Sequence, residues 1–371
     1  MSVPLMGESS NCWVEYSSSA DRTQRHNHAT SDRGCSMAVQ TAQVPARRKP
    51  KPALFGLIPA GKIERREALW FWIFISPWVI GFLAFTLYPI VMSAYYSMTT
   101  FNVASPPVWV GFDNYINLFN DRVYWKSLQV TGYYTLLSVP LGIFFGLMLA
   151  VLLNQRVPAL GVFRTLYYLP ALLGGSVAVA LLFSWLLNPQ FGAINLIIRT
   201  LVGPNGLIPL GITGPRWLQD PNWVIPSFTL MSLWGFGGTM LIYLSALQGV
   251  PTALYEAAEI DGANRIQQFF NVTVPMISPV ILFTFITGVI AAMQQFTTAY
   301  VISGGMNLGA PAYSSMFYNL YLFLNAFRRY RMGLASAQAW ILLIVILLLT
   351  LAMFWASRRY VHYESDEEGA I

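Results

Sequence analysis

The chain has 371 residues, 55% of them hydrophobic and only 10% charged, with a formal net charge of +6. Soluble domains carry about 25% charged residues, so this composition excludes an ordinary water-soluble enzyme. Cys12 and Cys35 are its only cysteines, and His26, His28 and His362 all fall outside the apolar region, so a disulfide framework and a Cys- or His-based metal site are excluded as well.

Ten of the 22 Lys and Arg lie in the first 66 residues. Residues 1–67 therefore read as a basic cytoplasmic arm beside a membrane, a simpler explanation than nucleic-acid binding. The arm is expected to be largely disordered, because residues 1–52 are rich in Ser, Arg, Gln and Pro and poor in apolar side chains. A coherent basic leader follows Met37, whereas residues 1–36 are compositionally erratic, and translation is expected to start at Met37. N-terminal sequencing that finds residues 1–36 in the mature protein would refute this. Near the arm's end, Gly56, Gly61 and Lys62 imitate a phosphate loop. Ile63 stands where the Mg²⁺-binding Ser or Thr belongs, and no strand precedes it. No nucleotide site is expected there; if ATP is used, another chain binds it.

A helix rises about 1.5 Å per residue and the bilayer core is about 30 Å thick, so roughly 20 apolar residues make a span. Six stretches qualify: residues 69–97, 127–154, 165–188, 223–250, 276–303 and 337–356, none containing Asp, Glu, Lys, Arg or His. The expected fold is an all-α membrane protein of six transmembrane helices over residues 68–361, closed by an acidic cytoplasmic tail, 362–371. Pro77, Pro89, Pro140, Pro226 and Pro279 are expected to interrupt the spans and kink them. With the N-terminus inside, 12 basic residues flank the spans on the cytoplasmic side and seven (Arg122, Lys126, Arg199, Arg216, Arg328, Arg329 and Arg331) on the outside. The positive-inside rule thus places both termini in the cytoplasm, an orientation that rests on the arm. Spans without ionisable groups lack the relay that proton-coupled carriers use.

The loop between the fourth and fifth spans, residues 251–275, holds Glu256, Glu259 and Asp261, three of the six acids between residues 68 and 363. Leu254, Ala257 and Ala258 make a narrow helical face that another surface can approach closely. Gly262 suits the left-handed residue that ends such a helix. Asn264 with Gln267 signals the cap of a second helix, with Ile266, Phe269 and Phe270 on its apolar face and Pro275 at its end. A loop lying on lipid would favour Lys and Arg; one Arg and three acids fit a protein groove better.

Glu256-Ala257-Ala258, Asp261-Gly262-Ala263 and Pro275 resemble the EAA signature of binding-protein-dependent ABC importer permeases. Tyr255 to Ala263, followed by Phe270 and Pro275, is similar to the carbohydrate-uptake branch that includes maltose and glycerol-3-phosphate permeases. Tyr88-Pro89, Gly111-Phe112-Asp113-Asn114-Tyr115, Phe163-Arg164, Tyr168-Leu169-Pro170 and Met332-Gly333 carry the resemblance along most of the chain after residue 68. Gly304-Gly305-Met306 stands where the family often has a GGP-like turn. The resemblance implies a MetI-like bundle in the cell membrane that forms half of a solute pathway with a second permease subunit, as a heterodimer. Two ATPase subunits would bind ATP and Mg²⁺, and an extracellular binding protein would deliver a small sugar or sugar derivative. Glu256, Ala257, Ala258, Asp261, Gly262 and Pro275 would couple to the ATPase; no catalytic residue, metal or cofactor is expected in this chain.

Sugars are held by hydrogen bonds and ring stacking, so uncharged polar and aromatic residues inside the spans are the candidates for the solute path. These are Ser232, Trp234, Gly235, Gly238 and Thr239 in the fourth span, and Gln294, Gln295, Thr297 and Thr298 in the fifth. Small and hydroxyl residues also pack membrane helices, but two adjacent amides deep in a bilayer are costly without partners, which singles out Gln294 and Gln295. The rival classes are a self-sufficient secondary carrier or channel, which would transport without an ATPase, and a membrane-embedded enzyme, for which acids, bases and metal ligands near the spans are missing.

Overall fold

The computed structural model describes residues 62–155, 160–202, 207–208, 214–305 and 307–358. Met37, the phosphate-loop imitation at Gly56 and Gly61, Met306 and the acidic tail lie outside the described residues. The chain divides into Met1–Trp72, described only over the opening turns of its helix, and Ile73–Ile371.

The first span consists of α1 (Lys62–Phe82), a π-turn (Leu83–Leu87) and α2 (Tyr88–Ser97). A two-residue hairpin pair follows, β1 (Thr99–Thr100) against β2 (Val108–Trp109), antiparallel with Thr99 opposite Trp109. Short α3 (Asp113–Phe119) leads into α4 (Arg122–Leu153), the second span. The third is α5 (Leu160–Leu173) with α6 (Val177–Leu186), and α7 (Ala193–Val202) connects it to the fourth, α8 (Pro221–Leu233) with α9 (Phe236–Gly249). The loop holds α10 (Thr252–Ile260), α11 (Arg265–Gln268), a π-turn (Phe269–Thr273) and α12 (Val274–Met276). The fifth span is α13 (Ser278–Met293) with α14 (Thr297–Ile302). Then come α15 (Tyr318–Phe323), a third π-turn (Leu324–Arg328) and α16 (Met332–Ser357), the sixth span.

Four of these helical stretches are long and apolar enough to cross a bilayer, and two bent pairs, α5–α6 and α8–α9, complete six spans. The bends measure 101° and 50°. They do not fall at the prolines. Pro77, Pro140 and Pro226 sit inside continuous helices, while Pro89 and Pro279 occupy first turns. Proline keeps a helical φ, and a packed bundle tolerates both the donor it forfeits and the carbonyl its ring displaces. The backbone breaks instead at Gly174-Gly175, where Gly175 adopts φ +71°, and at Trp234-Gly235. A further gap, Gln294 to Phe296, separates α13 from α14. The prolines have a different effect. A proline ring presses on the carbonyl four residues back, which is Phe85 for Pro89 and Asn271 for Pro275. Both carbonyls lie within π-turns, whose wider winding moves them aside.

Helix α4 is the axis of the core, packing against α8, α9, α13 and α15. Tyr124, Val130, Tyr134, Phe228, Phe317 and Tyr318 are buried along it. The opposite extreme is the first span, apolar all round and with no buried residue in its most apolar window, the composition of a helix bathed in lipid or sheathed by another chain.

Two of the family-like motifs outside the loop, residues 111–115 and Met332-Gly333, hold the far end of the bundle. Gly111 turns with φ +62°, aiming α3 back at the first span. There Asn114, buried, donates to the carbonyls of Ser97 and Thr99, each at 2.9 Å, and Tyr115 donates to the Ser97 hydroxyl. The Ser97 carbonyl belongs to a last helical turn and has no partner along the helix. Gly333 lies so close beneath that a Cβ would collide with the Thr99 carbonyl oxygen, and its N–H donates to Phe101 O at 3.1 Å. Asp121 caps α4 by accepting from Val123 N and also accepts the Tyr321 hydroxyl; burial, reinforced by that carboxylate, pushes the Tyr321 phenol up. Asn114→Ala should strand two buried carbonyls and cost about 1–3 kcal/mol, read as a lower melting temperature of the detergent-purified protein. An unchanged transition would mean that this side chain does not hold the span end.

Candidate functional site

Two places bring together the residues singled out by the sequence. The first is the 252–276 loop, built from local capping. Helix α10 ends in a paired closure: Ala263 N donates to Ala258 O at 2.9 Å, and Gly262 N donates to Glu259 O at 3.1 Å. This six-to-one and five-to-two pattern requires a left-handed residue, and Gly262 supplies it with φ +78°. Asn264 and Gln267 form a reciprocal capping box, at 2.8 and 2.9 Å, that starts α11 immediately. The Tyr255 hydroxyl meets that of Thr273 at 2.9 Å, and the Gln268 amide donates to Ala263 O, so the two helices form a fixed angle. Pro275 lies in α12, two residues before the chain breaks at Ile277 (φ −92°, ψ 3°) to enter the fifth span.

The loop's outer surface is apolar and acidic together. Ile260, Ile266 and Phe270 are exposed by 87, 70 and 62%. Glu256, Ala257 and Asp261 are exposed beside them and Ala258 is half-buried. Among the described residues the one ion pair is Arg265 with Glu259 at 3.7 Å, both ends well exposed, so Glu256 and Asp261 have none.

The second place is a polar cavity in the bundle. A space of about 170 Å³ is lined by Ser232, Trp234, Gly235, Gln295 and Thr298, together with Tyr134, Gly174, Gly175 and Ser176. A neighbouring space of about 280 Å³ shares Tyr134, Ser232, Gly235 and Gln295 and adds Ser138, Thr239 and Thr284. All three backbone breaks noted above converge here, each bringing residues to the wall of the smaller space. Broken helices at membrane depth are stable only where protein or a water-lined cavity receives their freed polar groups. The Gln295 amide has no hydrogen-bond partner among the described residues and faces both spaces. Gln294 is exposed and lines neither; its carbonyl accepts from Asn319 Nδ2 at 2.9 Å. Gly238 and Thr297 line neither space. Trp234 stands edge-on to Phe183 with ring centroids 5.5 Å apart.

Tyr134, Ser138, Ser176 and the Gly174-Gly175 pair escaped the sequence reading. A tyrosine in a span reads equally well as an interfacial anchor. The glycine pair, followed by an N-capping Ser176 that accepts from Val179 N, is the one signal that could have marked the break.

Residues 138–362 match the model of a family described as binding-protein-dependent transport system inner membrane component. The chain is 42% identical over 305 residues to the probable ABC transporter permease protein YesP of Bacillus subtilis, covering 82% of this chain and 95% of that protein. It is 33% identical to the lactose transport system permease protein LacF of Rhizobium radiobacter, covering 77% of this chain and 93% of that protein. In fold it is similar, with a TM-score of 0.65 at 22% identity over 80% of this chain and 96% of the other, to a chain of a bacterial alginate ABC transporter solved in complex with a periplasmic protein bound to alginate pentasaccharide.

Proposed function

This chain belongs to the family of binding-protein-dependent transport system inner membrane components, and from that premise we propose that it is one permease subunit of an ATP-driven sugar importer. It forms half of the solute pathway, pairs with a second, non-identical permease chain, and takes its driving force from two ATPase subunits that bind ATP and Mg²⁺. An extracellular binding protein delivers a small sugar or sugar derivative. Both termini and the 252–276 loop lie in the cytoplasm.

The observation that carries the reading is the loop. Its two helices are locked at a fixed angle by the Gly262 closure, the capping box and the Tyr255–Thr273 contact, yet Ile260, Ile266 and Phe270 project outward. A rigid element that displays apolar surface beside unpaired acids suits a groove in a partner, and rigidity is what lets a partner's movement pass into α13. Glu256 then faces basic groups of the ATPase. The polar cavity supports the same reading: hydroxyls, a free amide and the Trp234 ring make an uncharged path suited to sugars, with Ser232, Trp234, Gly235, Gln295 and Thr298 along it and Tyr134 added.

The test is to co-purify the chain with its ATPase and second permease, reconstitute the complex with the binding protein, and titrate candidate sugars. A cognate sugar should raise the binding protein's melting temperature and stimulate ATP hydrolysis by the complex. Uptake into vesicles holding this chain without any ATPase would overturn the proposal in favour of a self-sufficient carrier.

A further inference from the structure

Helix α7 belongs neither to the cavity nor to the loop, and its inner side is deliberately held. Asn195, 1% exposed, accepts from Trp217 Nε1 at 2.7 Å and donates to Pro215 O at 3.1 Å and Pro189 O at 3.3 Å. The approach is tight: a Cβ on Gly214 would run into this same amide. On the outer side Leu196, Ile197 and Leu201 are exposed by 61, 55 and 47%. Leu207 and Ile208, also exposed, prolong that surface, since their N–H groups donate to Thr200 O and Leu201 O at 3.0 and 2.9 Å. Arg199 is the helix's one charged residue, and its guanidinium donates to Pro189 O at 2.8 Å.

The chain gives this helix almost no freedom to leave the level of the span ends. Only six residues separate it from the end of α6, and they are folded back, with Gly192 N donating to Asn188 O at 2.9 Å. At the other side Trp217, which holds Asn195, sits four residues before α8 and packs edge-on against Trp223 within α8 at 5.3 Å between centroids. Both tethers are ends of membrane spans, and paired Trp rings are the side chains that settle at headgroup depth. An exposed face of Leu and Ile with no acid, held at that depth, meets lipid.

We propose that α7 is an interfacial helix lying in the plane of the bilayer, with Leu196, Ile197 and Leu201 among the upper acyl chains and Arg199 at headgroup level. It thereby ties α6, whose Val179 and Ala180 line the smaller cavity space, to the membrane surface. The proposal needs only the membrane fold and does not depend on the sugar, the ATPase or the orientation.

The experiment places a bimane label on Ile197→Cys, in a background with Cys12→Ser and Cys35→Ser, in the assembled complex reconstituted in phosphatidylcholine–phosphatidylglycerol vesicles. Lipid carrying a nitroxide high on its acyl chain should lower the emission at least about twofold, and aqueous iodide should leave it unchanged. Quenching by iodide would place the face in water, and protection from both quenchers would place it against protein; either result overturns the proposal. Leu201→Cys reads the same face should the first variant fail to assemble.

Discussion

Gly262→Val should abolish solute-stimulated ATP hydrolysis by the assembled importer while leaving the spans folded. The position is open, with nothing within 4 Å of a Cβ built there, so the effect is not a clash. It comes from the backbone. A residue at φ +78° is in the left-handed region, where a β-branched side chain costs about 1–2 kcal/mol. Relieving that strain undoes the closure that sets α11 against α10. A misdirected Ile266 and Phe270 would lose docking energy, and each ~1.4 kcal/mol lost weakens the ATPase complex about tenfold. Glu256→Lys should reach the same end by another route, reversing an exposed charge where a basic partner is proposed, with no change in fold. Co-purification of the ATPase with each variant, and hydrolysis with loaded binding protein, are the measurements. Wild-type values in both assays for both variants would remove the loop from the coupling role.

Gln295→Leu should lower sugar uptake at least about tenfold while basal ATP hydrolysis is retained, whereas Gln294→Leu should stay near wild type. The two amides are neighbours in sequence but not in environment. Gln295 faces both cavity spaces and Gln294 faces outward. Loss of hydrogen bonds to a bound sugar costs about 1.5 kcal/mol or more when a polar group on the sugar is left unpaired. Leu matches Gln in size and suits a membrane interior, so assembly should survive. Equal uptake by both variants would mean that the pathway runs elsewhere.

What was legible in the sequence was whatever is decided locally. The six spans follow from runs without charge. The loop's architecture follows from Gly262, Asn264 and Gln267, because a left-handed closure and a capping box involve residues no more than five apart. The breaks were not legible, since proline is the loudest helix breaker in a sequence but a packed bundle absorbs it at Pro77, Pro140 and Pro226. Gly174-Gly175 and Trp234-Gly235 bend the chain because of what surrounds them, and nothing in an apolar run separates such a glycine from one that serves helix packing. Tyr134 illustrates the same limit: its place at the cavity depends on α4 meeting the broken ends of three other spans.

The wide turn at Phe269–Thr273 makes the loop sensitive to chain length in a way that substitutions do not reveal. A π-turn is an α-helix that has accepted one surplus residue. Deleting any one of these five would let the segment wind as ordinary helix and return a carbonyl to the Pro275 ring. The flanking helices would stay in phase, because the surplus residue is taken up within the wide turn, and the strain would fall on the ring, kinking the helix at Pro275. Ile260, Ile266 and Glu256 would keep their identities and their exposure, but the kink would carry them out of line with α13. Among natural variants of this chain, a single-residue deletion here should therefore be rarer than replacement of the side chains themselves.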